Sequence, residues 1–213
     1  NAGADAYNIA IGHSAGANVS TGVRNTIMGG LAGDALTTGD YNIAIGYNAL
    51  TAEDTGNRNT AVGYKSLEAL NYDGDGLNTG IGYAAGQAMT TGTQNTIIGG
   101  HAGDALTDGN TNVAVGAYAL SAETRGDRNV AVGRQALASQ NNTSDTDVYN
   151  VAVGYNAGLS VSTGTQNTIV GGLAGDALTT GTNNVAMGYG ALGSEDTGGQ
   201  NVAIGVNALN TAN

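Results

Sequence analysis

The residues of this chain that could do chemistry are its carboxylates, its tyrosines and two histidines. Two short polar stretches carry alternating aspartates, NYDGDGLN with Asp73 and Asp75 and SDTDVYN with Asp145 and Asp147. Alternating carboxylates beside glycine can supply oxygen ligands to calcium. Neither stretch has the spacing or the closing glutamate of a helix-loop-helix calcium site. We therefore expect polar loops and no cofactor, and these four aspartates are the only places where we would look for calcium.

Other carboxylates recur at long, regular intervals. They form two sets: Asp34, Asp104 and Asp176, and Glu53, Glu123 and Glu195. Neighbours within a set lie four repeats apart, about 20 Å at a rise of ~4.8 Å per repeat. The paired carboxylates of glycosidases sit much closer, roughly 5 to 10 Å apart. His13 and His101 occupy unrelated places, cysteine is absent, and no serine has a recurring histidine partner. The sequence thus predicts no enzyme.

Tyrosine recurs directly after a glycine, at Tyr47, Tyr64, Tyr83, Tyr155 and Tyr189. An exposed aromatic stripe could contact a ligand by stacking on sugar rings. The same place holds Gly30, Ala117, Arg134 and Val206 in other repeats. Because these residues interrupt the stripe, packing along the coil and across a chain boundary is the favoured interpretation. The integrin-type tripeptide Arg125-Gly126-Asp127 is likewise better explained by the repeat, in which Gly126 is a turn glycine.

All these residues lie within a nine-residue phrase, seen as NTIIGGHAG from Asn95, and its connecting segment. The phrase begins at Asn8, Asn25, Asn42, Asn59, Asn78, Asn95, Asn112, Asn129, Asn150, Asn167, Asn184 and Asn201. Its fifth residue is Gly12, Gly29, Gly46, Gly63, Gly82, Gly99, Gly116, Gly133, Gly154, Gly171, Gly188 or Gly205. The interval is 17 residues except where the two aspartate stretches lengthen it to 19 and 21. A short fixed period predicts a solenoid.

The columns of the repeat predict the structure of one coil, in which the asparagine is position 1. Positions 2 and 4 are apolar or β-branched and position 3 is usually alanine, which is the period of a strand. A glycine at position 15, as at Gly22 or Gly109, is expected to be a left-handed turn residue. The asparagines are expected to stack, with their amides bonding coil to coil.

One coil cannot stabilise itself. About four inward apolar side chains contribute roughly 1.5 to 3 kcal/mol each, whereas ordering the backbone costs about 1 to 2 kcal/mol per residue. We therefore expect the alanine and glycine face to pack against identical chains. The predicted fold is all-β: a parallel β-solenoid of about twelve 17-residue coils, with three chains side by side in a rod roughly 55 to 60 Å long.

The whole chain, residues 1–213, is predicted to be one domain. Position 9 is glycine in two successive coils and leucine in the next two, which defines three four-coil cassettes over about 8–77, 78–149 and 150–213. The net charge of −11 argues against nucleic acid and anionic membranes as partners. No apolar run could cross a bilayer. Because the chain opens in mid-pattern, we expect a segment of a longer fibre.

The phrases NVAVGYNAG at Asn150, NIAIGYNAL at Asn42 and NVAIGVNAL at Asn201 resemble the YadA-like head repeats of trimeric autotransporter adhesins. They are also similar to repeats of bacteriophage tail fibres. The resemblance runs from Asn8 to the end of the chain, although the period here is longer than that of the head repeats. It implies a left-handed β-roll, a homotrimer, and display or adhesion outside the cell, on a bacterial surface or a virion, toward an unidentified glycan or protein receptor.

Three functions follow as hypotheses. The first is a structural and adhesive segment of a homotrimeric extracellular fibre. The second is a bacteriophage tail fibre segment that binds a receptor or cleaves glycans. The third is an ice-binding solenoid, suggested by a threonine column that Asp108 and Arg125 interrupt. That column consists of Thr21, Thr38, Thr55, Thr91, Thr163, Thr180 and Thr197.

Overall fold

The computed structural model describes residues 5–194 and 196–210, and the regular secondary structure in this part of the chain is entirely β. The strands are β1 (Ile9–Ile11), β2 (Thr26–Met28), β3 (Ile43–Ile45), β4 (Thr60–Val62), β5 (Thr79–Ile81), β6 (Thr96–Ile98), β7 (Val113–Val115), β8 (Gly126–Asp127), β9 (Val130–Val132), β10 (Thr146–Asp147), β11 (Val151–Val153), β12 (Thr168–Val170), β13 (Val185–Met187) and β14 (Val202–Ile204). No helix long and apolar enough to cross a bilayer occurs among these residues.

Twelve of the strands form one parallel sheet in which each strand pairs with the strand of the next coil. The remaining two, β8 and β10, pair with each other in parallel. Register is kept across both insertions, because Thr60 pairs with Thr79 and Val130 pairs with Val151. The insertions therefore lengthen loops without shifting the repeat. The predicted parallel β-solenoid is confirmed, with about eleven turns at a spacing near 17 residues.

The strand turns its small residue inward, which reverses the predicted orientation. Ala114 and Ala131 are fully buried in the single chain, whereas the flanking Val113 and Val115 are partly exposed. A 17-residue coil is too narrow to admit two large side chains from the same short strand. The expectation that the alanine face packs against another chain was wrong, because that face is the inner wall of the coil.

The core is filled by positions 3, 8, 9 and 12, and large and small residues alternate to keep its volume constant. In the second coil of a cassette Ile97 at position 3 faces Gly103 at position 9, where an added Cβ would lie 3.1 Å from the isoleucine Cδ1. In the third coil the sizes are exchanged, with Ala114 at position 3 and Leu120 at position 9, both fully buried. In the first coil both positions are small, as at Gly80 and Gly86, and Leu67 of the preceding coil fills the space beside them.

Two glycine columns are required by the close approach of the next coil. Gly99, with φ +135°, would place a Cβ 2.6 Å from the carbonyl oxygen of Gly116. A Cβ on Gly109, at position 15, would lie 2.7 Å from the carbonyl oxygen of Gly126, although Gly109 has no positive φ. The left-handed turn predicted at position 15 was therefore wrong. Positive φ falls instead at positions 5, 7, 9 and 17, often on non-glycine residues such as Leu120.

These left-handed residues turn amides of one coil toward opposite neighbours. The N–H of His101 donates to the carbonyl of Tyr83 in the preceding coil, at 2.9 Å. The N–H of Gly103 donates to the carbonyl of Ala119 in the following coil, also at 2.9 Å. Backbone hydrogen bonds thus tie each coil to both neighbours outside the sheet as well as within it.

Candidate functional site

The asparagine column is a buried hydrogen-bonded spine. The N–H of Asn112 donates to Oδ1 of Asn95 at 2.9 Å, and the side-chain Nδ2 of Asn112 donates to the carbonyl of Gly126 at 2.9 Å. The same pair of bonds recurs along the stack, for example at Asn167 and Asn42. Apart from the buried Nδ2 of Asn59, which has no hydrogen-bond partner, these amides are bonded to groups of the chain, so the column holds the coils in register.

The tyrosine column becomes a ladder of stacked rings in the middle of the rod. The ring centroids of Tyr47 and Tyr64 lie 5.8 Å apart, and those of Tyr64 and Tyr83 lie 5.0 Å apart, with interplanar angles of 14° and 12°. Two residues that sequence reasoning left out extend it. His101 follows Tyr83 at 5.2 Å and a tilt of 55°, and Tyr118 stacks on His101 at 5.3 Å and 6°.

His101 and Tyr118 lie at position 7, one residue beyond the predicted column, and they bridge the gap that Gly100 and Ala117 leave at position 6. We call these five residues, Tyr47, Tyr64, Tyr83, His101 and Tyr118, the ring ladder. Their ring faces cover one another, so edges and hydroxyl groups are what they present to solvent. The four tyrosines are 40 to 56% exposed. A signal for the ladder was present in the sequence, but only when positions 6 and 7 are read together.

The other two predicted tyrosines do not join the ladder. Tyr155 lies beneath the guanidinium of Arg134, whose Cζ is 5.8 Å from the ring centroid. Tyr189 leans over Gly172, where an added Cβ would lie 3.5 Å from the tyrosine Cδ2. The interrupting residues at position 6 therefore matter: arginine caps a neighbouring ring and glycine makes room for one.

A second aromatic column, at position 17, was missed. Tyr41 lies between Arg24 and Arg58, whose Cζ atoms are 5.1 and 5.6 Å from its ring centroid. Arg128 covers Tyr149 in the same way at 5.7 Å. Stacked arginine and tyrosine stabilise each other by cation–π attraction. The alternation of tyrosine and arginine at 17-residue intervals was the signal that could have revealed it.

The four aspartates considered for calcium are engaged with groups of the chain itself. Asp73 accepts a hydrogen bond from Thr55, and Asp75 pairs with Arg58. Asp145 and Asp147 pair with Arg125 and Arg128, respectively. No cluster of three or more potential metal ligands occurs in residues 5–194 and 196–210. Each insertion is therefore clamped to the coil beneath it by carboxylate contacts.

The Arg125-Gly126-Asp127 tripeptide is part of this framework. The guanidinium of Arg125 donates to both carboxylate oxygens of Asp108, at 3.1 and 2.6 Å. Partial burial by itself would raise the pKa of Asp108. The hydrogen bonds from Arg125 outweigh that effect and hold this pKa below its usual range. Oδ1 of Asp127 accepts a hydrogen bond from the backbone N–H of Asn110 at 2.6 Å. Both charged ends of the tripeptide thus have partners in the preceding coil.

The recurring glutamates lie inside the coil, at position 12, where other coils place leucine. Glu53 and Glu123 are fully buried, and Glu195 lies outside the described residues. Oε1 of Glu53 accepts the N–H of Gly56 at 2.7 Å, and Oε2 accepts the N–H of Tyr72 in the first insertion. Burial raises the pKa of Glu53, although these backbone hydrogen bonds work in the opposite direction.

Glu123 is held more completely. Its Oε1 accepts backbone N–H groups of Thr124, Arg125, Gly126 and Asn142, and its Oε2 accepts the side-chain amides of Gln140 and Asn142. Because Asn142 belongs to the second insertion, this carboxylate fastens the inserted loop to the third coil. Glu53 and Glu123 therefore hold backbone segments in place. The sequence showed that these glutamates recur, but it did not predict that they are buried.

No arrangement suited to catalysis is evident in the part of the chain that the structure describes. His13 is exposed on the first coil, whereas His101 stacks in the ring ladder on the sixth and bonds Asp104 at 2.9 Å. Residues 5–194 and 196–210 enclose no pocket. The carboxylates of Glu53 and Glu123 are buried within the solenoid and accept hydrogen bonds from donors of the chain.

The outer face of the twelve-stranded sheet is a continuous surface rich in apolar side chains. Positions 2 and 4 of every coil project from it as two columns of isoleucine, valine, threonine and methionine. Several of these side chains are well exposed in the single chain: Ile81 is 38%, Val153 36% and Met187 41% exposed. No family model, curated protein or solved structure matches the chain.

Proposed function

We propose that this chain is a structural and adhesive segment of a homotrimeric extracellular fibre, displayed on a bacterial surface or a virion. One observation carries the proposal: an unbroken column of apolar side chains at position 4, flanked at position 2 by isoleucine, valine and threonine, runs along the outer face of all twelve strands. A contiguous exposed apolar surface marks an interaction site. A straight face that repeats every coil fits an equally straight and repetitive partner, and an identical chain is such a partner.

The trimer in this proposal is built differently from the one that the sequence suggested. The alanine column stabilises each coil from inside, and the β-branched face takes over the contact between chains. Three sheets around a common axis would bury positions 2 and 4, while the insertions and the ring ladder remain outside. The left hand of the roll, and the role in attachment, rest on the resemblance of the repeats to adhesin heads and tail fibres.

The acidic charge is consistent with this role. The net charge of −11 keeps separate fibres apart and soluble, and it disfavours nucleic acid as a partner. Many identical coils on three chains would give avidity for whatever the outer surface binds. The mechanism is mechanical, since a stiff stack holds a binding surface away from its point of attachment.

The test is the solution mass of the folded chain by light scattering, compared with its mass in denaturant. We expect three chains in the folded state. Ile98→Lys places a charge in the middle of the apolar face and should shift the mass toward one chain. Gln94→Lys, which adds the same charge at an exposed residue outside the strands, should leave the trimer intact. A folded monomer for the unaltered chain would refute the proposal.

The tail fibre alternative shares this architecture and differs in what the outer surface does, so release of reducing ends from surface polysaccharides would favour it. The ice-binding alternative has less support. Its threonine column is broken by the ion pair between Arg125 and Asp108. Absence of thermal hysteresis would remove that hypothesis.

A further inference from the structure

The hydroxyl groups of the ring ladder differ from those of four other tyrosines of the rod, although Tyr72 and Tyr189 also have no hydroxyl partner among the described residues. Outside the ladder, the hydroxyls of Tyr7, Tyr41, Tyr149 and Tyr155 have polar partners in Asp5, Arg24, Asp147 and Arg134, respectively. The hydroxyls of Tyr47, Tyr64, Tyr83 and Tyr118 contact no such partner among the described residues. The ladder is therefore a row of rings whose polar ends are left to solvent.

We propose that the ring ladder binds an extended, uncharged, β-linked polysaccharide chain that lies parallel to the rod axis. The inference rests on the proposed function, because it names the ligand class of the adhesive surface. It assigns one sugar to each ring, and so one sugar to each coil from the third to the seventh.

The spacing of the rings supports an extended chain. Successive centroids are separated by 5.0 to 5.8 Å over four steps. A β-1,4-linked chain of pyranoses is a straight ribbon, and each sugar advances it by about one such step. An α-1,4-linked chain curls and loses register with a straight ladder after one or two sugars. A repeating ligand matched to a repeating surface multiplies weak contacts into useful affinity.

The chemistry of the exposed atoms fits sugars held by their hydroxyl groups. The ring faces are covered by neighbouring rings, so face-on stacking of a sugar is restricted to the ends of the ladder. Each phenol can both donate and accept a hydrogen bond, as can each sugar hydroxyl.

Charge around the ladder selects against anionic polysaccharides. Glu68 forms an ion pair with Lys65, whose Nζ lies over the ring of Tyr64. Asp104 forms a hydrogen bond with the imidazole of His101. Lys65 is thus paired with a carboxylate, and the chain as a whole carries −11. A polyuronic acid would be repelled by this field, whereas a neutral glucan or chitin-like chain would not.

The test is calorimetric titration of the whole chain with β-1,4-linked gluco-oligosaccharides of two to six units. We expect affinity to rise with each sugar up to five and then to level off, because the ladder has five rings. α-1,4-linked oligosaccharides of the same lengths should bind at least about tenfold more weakly. Equal affinity for the two linkages, absence of length dependence, or absence of binding to every β-linked oligosaccharide would each overturn the inference.

Matched variants separate the hydroxyl groups from the stack. Replacing Tyr47, Tyr64 and Tyr83 together by phenylalanine keeps the rings and removes three hydroxyls, which should lower affinity by about tenfold or more. Tyr189→Phe removes one free hydroxyl outside the ladder and should change nothing. The mass of the same samples is measured by light scattering. A trimer that binds no glycan refutes this inference alone, whereas a monomer that binds with the expected length dependence refutes the trimer alone.

Discussion

Replacement of Glu123 by leucine tests how far a buried carboxylate stabilises the rod. Leucine occupies position 12 in sister coils, as at Leu36 and Leu106, where it is fully buried, so Glu123→Leu should fit sterically. It strands the backbone N–H groups of Thr124, Gly126 and Asn142, which cannot turn away. The N–H of Arg125 keeps the carbonyl of Asn142 as an acceptor. The two side-chain amides that also bond Glu123 can rotate toward other partners.

The magnitude follows from these contacts. A donor left without an acceptor costs about 1 kcal/mol, so three cost about 3 kcal/mol. Burial of the leucine side chain offsets about 2 kcal/mol. We therefore expect Glu123→Leu to lower the free energy of unfolding by about 1 kcal/mol. Glu53 accepts only two backbone donors, and leaving both without an acceptor costs about 2 kcal/mol. Burial of the leucine side chain offsets about the same amount, so Glu53→Leu should leave the free energy of unfolding nearly unchanged.

The assay is urea unfolding of both variants and the unaltered chain, followed by circular dichroism. Because repeat proteins can unfold in parts, amide hydrogen exchange at Gly126 is measured beside it. Exchange there should accelerate in Glu123→Leu, since that N–H loses its acceptor. The reasoning is refuted if the two leucine variants are equally stable, or if Glu53→Leu is the more destabilised.

Three further predictions follow. Burial raises the pKa of Glu53 above its ordinary 4.5; the folded state therefore binds this proton more tightly, and stability should fall as pH rises above 4.5. Glu53→Gln should flatten that part of the profile in urea unfolding at several pH values, and an unchanged slope would contradict the assignment. Gly99→Ala should lower the free energy of unfolding by at least about 2 kcal/mol through strain and overlap. Gly100→Ala, where no atom lies within 4 Å of the added Cβ, should be neutral in the same unfolding assay. Asn112→Ala removes a hydrogen bond to the carbonyl of Gly126 and the acceptor for the N–H of Asn129. We expect the free energy of unfolding, measured by thermal unfolding, to fall by about 2 kcal/mol. Equal stability would mean that water replaces the amide.

Much of the fold was readable from the sequence because the repeat forces identical positions into register. The asparagine at position 1 and the glycine at position 5 recur without exception, and this alone predicts stacked parallel strands. The orientation of the strand was not readable. Alternation of Val113, Ala114 and Val115 shows that two faces differ, but the choice of the inner face depends on the width of the whole coil.

The candidate site was predicted in part, for a similar reason. Tyr47, Tyr64 and Tyr83 share one column and stack as neighbours, which the period anticipated. His101 and Tyr118 lie one residue off that column, and their rings reach the ladder only because the backbone at position 7 is left-handed. Such conformations on non-glycine residues leave little trace in a sequence. The burial of Glu123 was hidden likewise, since a glutamate among polar neighbours is ordinarily a surface residue.

The exchange of large and small side chains between positions 3 and 9 has an evolutionary consequence. Ile97 is balanced by Gly103 within its own coil, and Leu120 by Ala114 within the next. The two cassette boundaries carry the same compensation between coils, with Leu67 against Gly86 at the first and Leu137 against Gly158 at the second. Unequal recombination between cassettes could lengthen or shorten the rod by four coils while every junction stays well packed. The length of the rod can therefore change in steps of four coils without requiring any new kind of contact between coils.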